Sequence, residues 1–189
     1  MSEEKRALSK VSIMGVLNCT PDSFSDGGKF LEKEAAAAQA NKLIEDGADI
    51  IDIGAISTGP DSTMLSPEEE LSRLENIIPQ IKAKISVDSY RAEVAKRSLE
   101  LGATIVNDVS ALRFDKEKMC EAITEHKAEV VLMHSKEDAD FPHASDKEKS
   151  YDNLIDEISS FLEKQIAFAM EYGIAKEKII CKDGFCSLP

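Results

Sequence analysis

The sequence predicts an α/β protein built on a parallel sheet. Two observations carry the prediction. Short apolar runs, of the kind needed by strands buried on both faces, alternate with longer amphipathic stretches. A helical pattern then follows each run but the last, the arrangement that gives right-handed crossovers between parallel strands. Both an open doubly wound sheet and a (β/α) barrel satisfy this alternation. No GxGxxG follows the first run, which disfavours a dinucleotide-binding Rossmann domain.

The first strand is expected over residues 11–18, followed by an Ala-rich helix over 32–45 that Asp46-Gly47 closes. A second strand spans 49–54. Ser66-Pro67-Glu68-Glu69 starts the next helix: a hydroxyl cap, a proline in the first turn, and acids against the positive helix end. Leu71, Leu74, Ile77, Ile78 and Ile81 continue it at near-3.6 spacing until Pro79 interrupts. Strands over 84–88, 104–107, 130–134 and 178–181 alternate with helices over 91–101, 116–126 and 154–172. Six strands and five helices result.

Composition limits the partners. Among 189 residues, Lys+Arg 23 stand against Asp+Glu 36, for a formal charge of -13. Such a chain repels nucleic-acid backbones and anionic lipid, so neither nucleic acid nor membrane is an expected partner. Charges such as Glu68, Glu69, Glu70 and Arg73 read as a solvated helix face. No apolar run approaches the roughly 20 residues needed to cross a bilayer. The start, MSEEKRALSK, has no apolar signal region, and four Cys without CxxC spacing read as reduced thiols of a cytoplasmic protein.

The informative residues stand at the strand ends: Asn18, Asp52, Asp88, Asn107, His134 and Asp183. Carboxyl ends of parallel strands line one rim, where ligands bind in both candidate architectures. Asp88 can accept two hydrogen bonds from an amidine-like N–H pair, and Asn107 offers a donor and an acceptor. The pair suits a flat heterocycle such as a pterin or purine. Asn18, with waters and substrate phosphates, makes a reasonable octahedral shell for Mg²⁺. His134 reads equally as a site residue or a satisfied buried histidine. Asp52 reads equally as a site residue or as a neighbour's hydrogen-bond partner.

Asn18-Cys-Thr-Pro-Asp-Ser-Phe-Ser-Asp-Gly-Gly28 resembles the first signature of the dihydropteroate synthases. Gly47-Ala-Asp-Ile-Ile-Asp-Ile-Gly54 with Ser57-Thr58 and Pro60 resembles the second. Ile85-Ser-Val-Asp-Ser89, Val106-Asn-Asp-Val-Ser110 and Leu132-Met-His134 follow in the family's order. The resemblance implies a TIM-type (β/α) barrel of the folate pathway, here with about six βα units. Residues 1–10 would form an N-terminal extension, and 11–189 the pterin-binding domain, incomplete at its C-terminus. The implied reaction joins a pterin-methyl diphosphate to p-aminobenzoate with release of diphosphate. Carried over by position, Asn18 would hold Mg²⁺. Thr58, Asp88, Asn107, Met133 and Asp183 would line the pterin site. Anionic Asp88 would stabilise positive charge on the pterin methylene.

Two departures from the family pattern stand out. The second signature, usually Gly-Gly-Glu-Ser-Thr-Arg-Pro-Gly, has Ile56 in place of its Glu and Gly59 in place of its Arg. On the sixth strand, where the family carries Asp-Pro-Gly-x-Gly-Phe, this chain has Cys181-Lys182-Asp183-Gly184-Phe185. Either Asp183 stands one residue late or Lys182 takes the Asp position, and a one-residue slip turns a side chain to the other face. Six units would leave the first and sixth strands as open edges, which two copies of the chain could pair in a homodimer. The rival readings are a non-catalytic or decayed pterin-binding homologue and a pterin-dependent methyltransferase.

Overall fold

The computed structural model describes residues 11–19, 28–56, 65–136 and 150–182. Its centre is a six-stranded, all-parallel sheet in the order β1-β2-β3-β4-β5-β6. The strands are β1 (Met14–Asn18), β2 (Ile50–Gly54), β3 (Lys84–Asp88), β4 (Ile105–Asp108), β5 (Glu129–Met133) and β6 (Ile179–Lys182). Between them run α1 (Gly28–Glu45), α2 (Pro67–Leu74), α3 (Ala92–Glu100), α4 (Lys116–Glu125) and α5 (Leu154–Glu171). Strand order follows chain order without reversal. A doubly wound sheet reverses direction at its switch point, so the sequential order selects the barrel-type wall.

The two faces of the sheet have different residues. Leu17, Ile51, Ile53, Ile85, Val87, Val106, Val130 and Leu132 are buried in the main core. Gly15 shares this helix-facing side: a Cβ there would lie 3.2 Å from Ala48 and 3.3 Å from Leu43 at the α1 end, so the close approach of α1 to β1 needs glycine. The alternate residues face the other way, and that face is concave. Asn107 on β4 donates to Asp52 on β2 at 2.8 Å, and Lys84 on β3 reaches Glu129 on β5 at 2.9 Å. Each pair skips the intervening strand.

Element boundaries moved for identifiable reasons. The expected helix over 66–81 is α2 followed by a separate 3-10 turn, Ile78–Gln80, with Pro79 inside it. Proline removes a donor and breaks the α pattern there. The start is as expected: Ser66 accepts from the Glu69 N–H, and the Glu69 carboxylate accepts from the Ser66 N–H, a complete capping box. Ile13 lies just outside β1, its carbonyl accepting from the Asp49 and Ile50 N–H groups. The sixth strand runs one residue further than expected, to Lys182.

The reading of α2 as a solvated face is corrected. Glu70 is fully buried and pairs with Arg91 at 2.8 Å, while Arg73 donates to the Ala55 carbonyl at 3.0 Å. These contacts fasten α2 to the ends of β2 and β3. Among the described residues, no helix is long and apolar enough to cross a membrane.

Candidate functional site at the strand carboxyl ends

Register builds the site. Asn18 is level with Gly54, Gly54 with Asp88, and Asp88 with Asn107. Neighbours level in a parallel sheet share a face, so these positions form one row across four strands. Asn107 is level with Val131, and Val131 with Ile180. Met133 and Lys182, each two residues further on, are level with one another and lie on the same face. Asp52 and Ser86, two residues before Gly54 and Asp88, complete it. Asn18, Asp88, Asn107 and Met133 thus come together on the concave face from four strands. Thr58 and Asp183 lie outside the described residues, as do the segments around Asp22 and Ser57.

The inner wall is rich in acceptors. Asn107 is buried and spends its amide N–H on Asp52 Oδ2. Asp52 Oδ1 and Asn107 Oδ1, also buried, accept no hydrogen bond from the described residues. Buried polar atoms are normally satisfied, so two orphaned acceptors side by side mark a place for donors from a ligand. The Ser86 hydroxyl lies beside the Asp52 carboxylate without reaching hydrogen-bond geometry. Gly54 sits close against Asp88 and leaves little room for a side chain: a Cβ there would lie 3.3 Å from Asp88 Cβ.

Electrostatics follow from burial. Desolvation pushes the Asp88 carboxyl up to about 7, and the Asp52 carboxylate adds to the rise. The Lys182 ammonium opposes it, while Glu70 and Asp108 push it up further. Burial also raises Asp52, against the pull of Ser86, Asn107 and Lys182. Asp88 keeps part of its surface open, but its carboxyl group lies deep enough in the hollow for desolvation to outweigh the lysine.

Several other residues prove structural. His134 follows Met133 and so turns away from the concave face; it is buried edge-on against Phe161 of α5, ring centroids 5.1 Å apart. That resolves its two readings in favour of a packed histidine. Asp108, next to Asn107 and on the opposite face, accepts from the N–H groups of Ser110 and Leu112 at 2.8 Å each. These bonds hold a turn in which Ala111 and Leu112 take positive φ. Burial pushes the Cys19 thiol up to about 12, which leaves it inert as a nucleophile. Sequence reasoning missed Ser86 and the Glu70–Arg91 tie. The strand period could have found Ser86, two residues before Asp88, but nothing in the sequence separates Glu70 from its exposed neighbours.

The donor set bears on Mg²⁺. Asn18 is exposed at the rim, and among the described residues no group of three His, Cys, Asp or Glu is placed to hold a metal ion. One neutral oxygen suits an ion that keeps its waters and takes phosphate oxygens from a substrate.

A sequentially ordered parallel wall that gathers carboxylates and amides at its strand ends defines a (β/α)-barrel ligand-binding protein. The chain belongs to the pterin binding enzyme family, which it matches over residues 14–186. Dihydropteroate synthase of Bacillus subtilis is 38% identical over 179 residues, covering 93% of this chain and 59% of that protein. Two solved structures of Xanthomonas albilineans dihydropteroate synthase are also similar. The one with 4-aminobenzoic acid has a TM-score of 0.82 at 38% identity, covering 94% of this chain and 63% of that one. The one in complex with 7,8-dihydropteroate has a TM-score of 0.78 at 34% identity, covering 95% and 62%. The chain spans about three-fifths of the length of the curated relatives it matches.

Proposed function

We propose that this chain binds a pterin on its concave face and acts in folate biosynthesis as a dihydropteroate synthase. In that reaction 6-hydroxymethyl-dihydropterin diphosphate condenses with p-aminobenzoate and diphosphate leaves. The observation that carries the reading is the acceptor wall. Asp52 Oδ1 and Asn107 Oδ1 lie unpartnered among the described residues beside Asp88, matched to the N–H groups along one edge of a 2-amino-4-oxo ring. The family and the ligands named with the solved relatives support it.

The chain's own residues divide the work. Asp52, Asp88 and Asn107 orient the ring. Asp88, ionised by the ring's donors, stabilises the positive charge that grows on the exocyclic methylene as diphosphate departs. The aniline nitrogen of p-aminobenzoate then bonds to that carbon and loses a proton. Asn18 would hold Mg²⁺, which when bound neutralises charge on the diphosphate. Thr58 belongs to the same pocket in this reading. The free thiols, Cys19, Cys120 and Cys181, suit a reducing cytoplasm. Two copies would pair the edge strands β1 and β6, where Val16 and Ile180 are 60% and 41% exposed on the concave face.

Calorimetry with the pterin diphosphate, with and without Mg²⁺, tests the reading beside a dihydropteroate assay. Tight Mg²⁺-dependent binding with turnover is the expected result. Asp88→Asn should weaken binding more than Asp22→Asn, and equal losses would remove Asp88 from the pocket. Sedimentation should show a dimer; a monomer at all concentrations would refute edge pairing. A second reading, a binder without turnover, draws on Lys182, a cation facing the site where the family carries an acid. Binding with no product formed would select it.

A further inference from the structure

One layer beneath the row of Asn18, Asp88 and Asn107, the concave face carries a buried polar pair. Asp52 on β2 and Ser86 on β3 are level neighbours, so their side chains stand side by side. Ser86 is completely buried and Asp52 nearly so. Asp52 Oδ1 and the Ser86 hydroxyl each lack a hydrogen-bond partner among the described residues. The neighbouring positions supply none. Val16 and Ile105 flank the pair along its own row. Ile50 and Lys84 stand in the row below, and the Lys84 ammonium is held by both oxygens of Glu129 at 2.9 Å. One orphan is a hydroxyl whose proton can rotate, and the other is a carboxylate oxygen with room for two donors. Buried polar groups are nearly always satisfied, and here each can satisfy the other.

We propose that Ser86 is a positioning residue for an acid pair: its hydroxyl turns onto Asp52 and, with the Asn107 amide, fixes that carboxylate as the charged member, which leaves the proton of the pair on Asp88. Two carboxyl groups on neighbouring strands resist ionising together, and the one that has donors ionises first. Desolvation is the largest influence on both acids. It raises Asp52 against the pull of Ser86, Asn107 and Lys182. It carries Asp88 to about 7, with Asp52, Glu70 and Asp108 adding to the rise and the Lys182 ammonium opposing it. Glu70 in turn is paired with Arg91. A ring that donates to Asp88 then expels the proton, so the charge used in the proposed reaction arises in the complex. That consequence rests on the pterin-binding reading, whereas the placement of the proton does not.

The test therefore needs no ligand. Carboxyl-carbon NMR of the isotope-labelled chain follows both acids between about pH 4 and pH 9, with Asp52→Asn and Asp88→Asn identifying the two signals. In wild type the step near 7 should appear on the Asp88 carbon, with Asp52 titrating below it. Ser86→Ala should carry part of the upper step onto Asp52 and lower the Asp88 midpoint. Ser86→Thr, which keeps a hydroxyl, should restore the wild-type order. If circular dichroism shows that variant unfolded, Asn107→Ala replaces it and should shift both signals in the same directions as Ser86→Ala. A serine that merely fills space would change the unfolding midpoint and leave the proton where it was. Unchanged titrations in Ser86→Ala, a shift that folded Ser86→Thr does not reverse, or a wild type whose upper step lies on Asp52 overturns the assignment. Calorimetry of wild type with 6-hydroxymethylpterin decides the binding reading separately, so either can fail alone.

Discussion

Asn107 donates to Asp52 at 2.8 Å although β3 lies between their strands. In a flat sheet these backbones would be about 9–10 Å apart, two interstrand spacings. Two short side chains meet over that span only where the sheet bends toward them. Lys84 and Glu129 do the same across β4, nearer the amino ends of the strands. The curvature of the wall and the convergence of the site are therefore one geometric fact, and Asp52–Asn107 is the joint at which both can be tested.

Asn107→Ala leaves the buried Asp52 carboxylate without its one hydrogen-bond donor at full geometry among the described residues. The expected loss is about 1–3 kcal/mol of folding stability, the cost of an unsatisfied buried polar group. Urea unfolding measures it. Asn107→Asp should be worse, because it brings a third acid to a wall where Asp52 already raises the proton affinity of Asp88. Unchanged midpoints for both variants would show that the bond carries no weight.

Arg91 and Glu70 form the other buried tie, at 2.8 Å with side chains 10% and 0% exposed. Burial raises the Glu70 pKa, and the Ser89 hydroxyl and Arg91 counteract the rise. Arg91→Ala strands that carboxyl group and should cost about 3–5 kcal/mol. The double variant Arg91→Met with Glu70→Leu should recover most of the loss, because it leaves no buried charge. If the double variant is as unstable as Arg91→Ala, packing and not charge holds α2 against β3.

The legibility of this chain divides along a physical line. Strand and helix identities were readable because hydrophobic period and caps are local: the Ser66 box and the run at Val130 declare themselves. The row of Asn18, Asp88 and Asn107 was readable because parallel strands place their ends on one rim. Alternation alone did not choose the architecture, since an open sheet and a barrel wall share it and differ only in strand order; the signature motifs implied the barrel, and the sequential strand order agrees with them. Lys182 could not be separated from Asp183, because a single residue of strand phase decides the face, and that phase is set by the Met133 pairing on another strand. Glu70 escaped because its burial depends on Arg91, 21 residues away.

Gly54 is the narrowest place in the row. A methyl group there would meet Asp88 Cβ at 3.3 Å, tighter than ordinary van der Waals contact. Gly54→Ala should turn the Asp88 side chain toward the hollow and fill space the ring needs. Pterin affinity is expected to fall about tenfold, with a smaller change in the unfolding midpoint. Comparable losses in both would mean that glycine serves the strand and not the pocket.

Asp88 gives the protein a pH signature. Its folded pKa of about 7 lies above the unfolded value of about 3.9, so the native chain holds a proton that the unfolded chain releases. Stability from this group is complete below about pH 4 and is lost as pH rises through 7. Burial raises Asp52, Glu70 and Asp108 in the same direction. Asp88→Asn cannot titrate, so it should gain on wild type steadily from pH 4 to 7.5 in urea unfolding; a constant difference would refute the shift. The same proton reports on ligand. A ring that donates N–H groups to Asp88 favours the carboxylate, so pterin binding at pH 7 should release a fraction of a proton. Calorimetry in buffers of different ionisation enthalpy reads that release, and Asp88→Asn should abolish it.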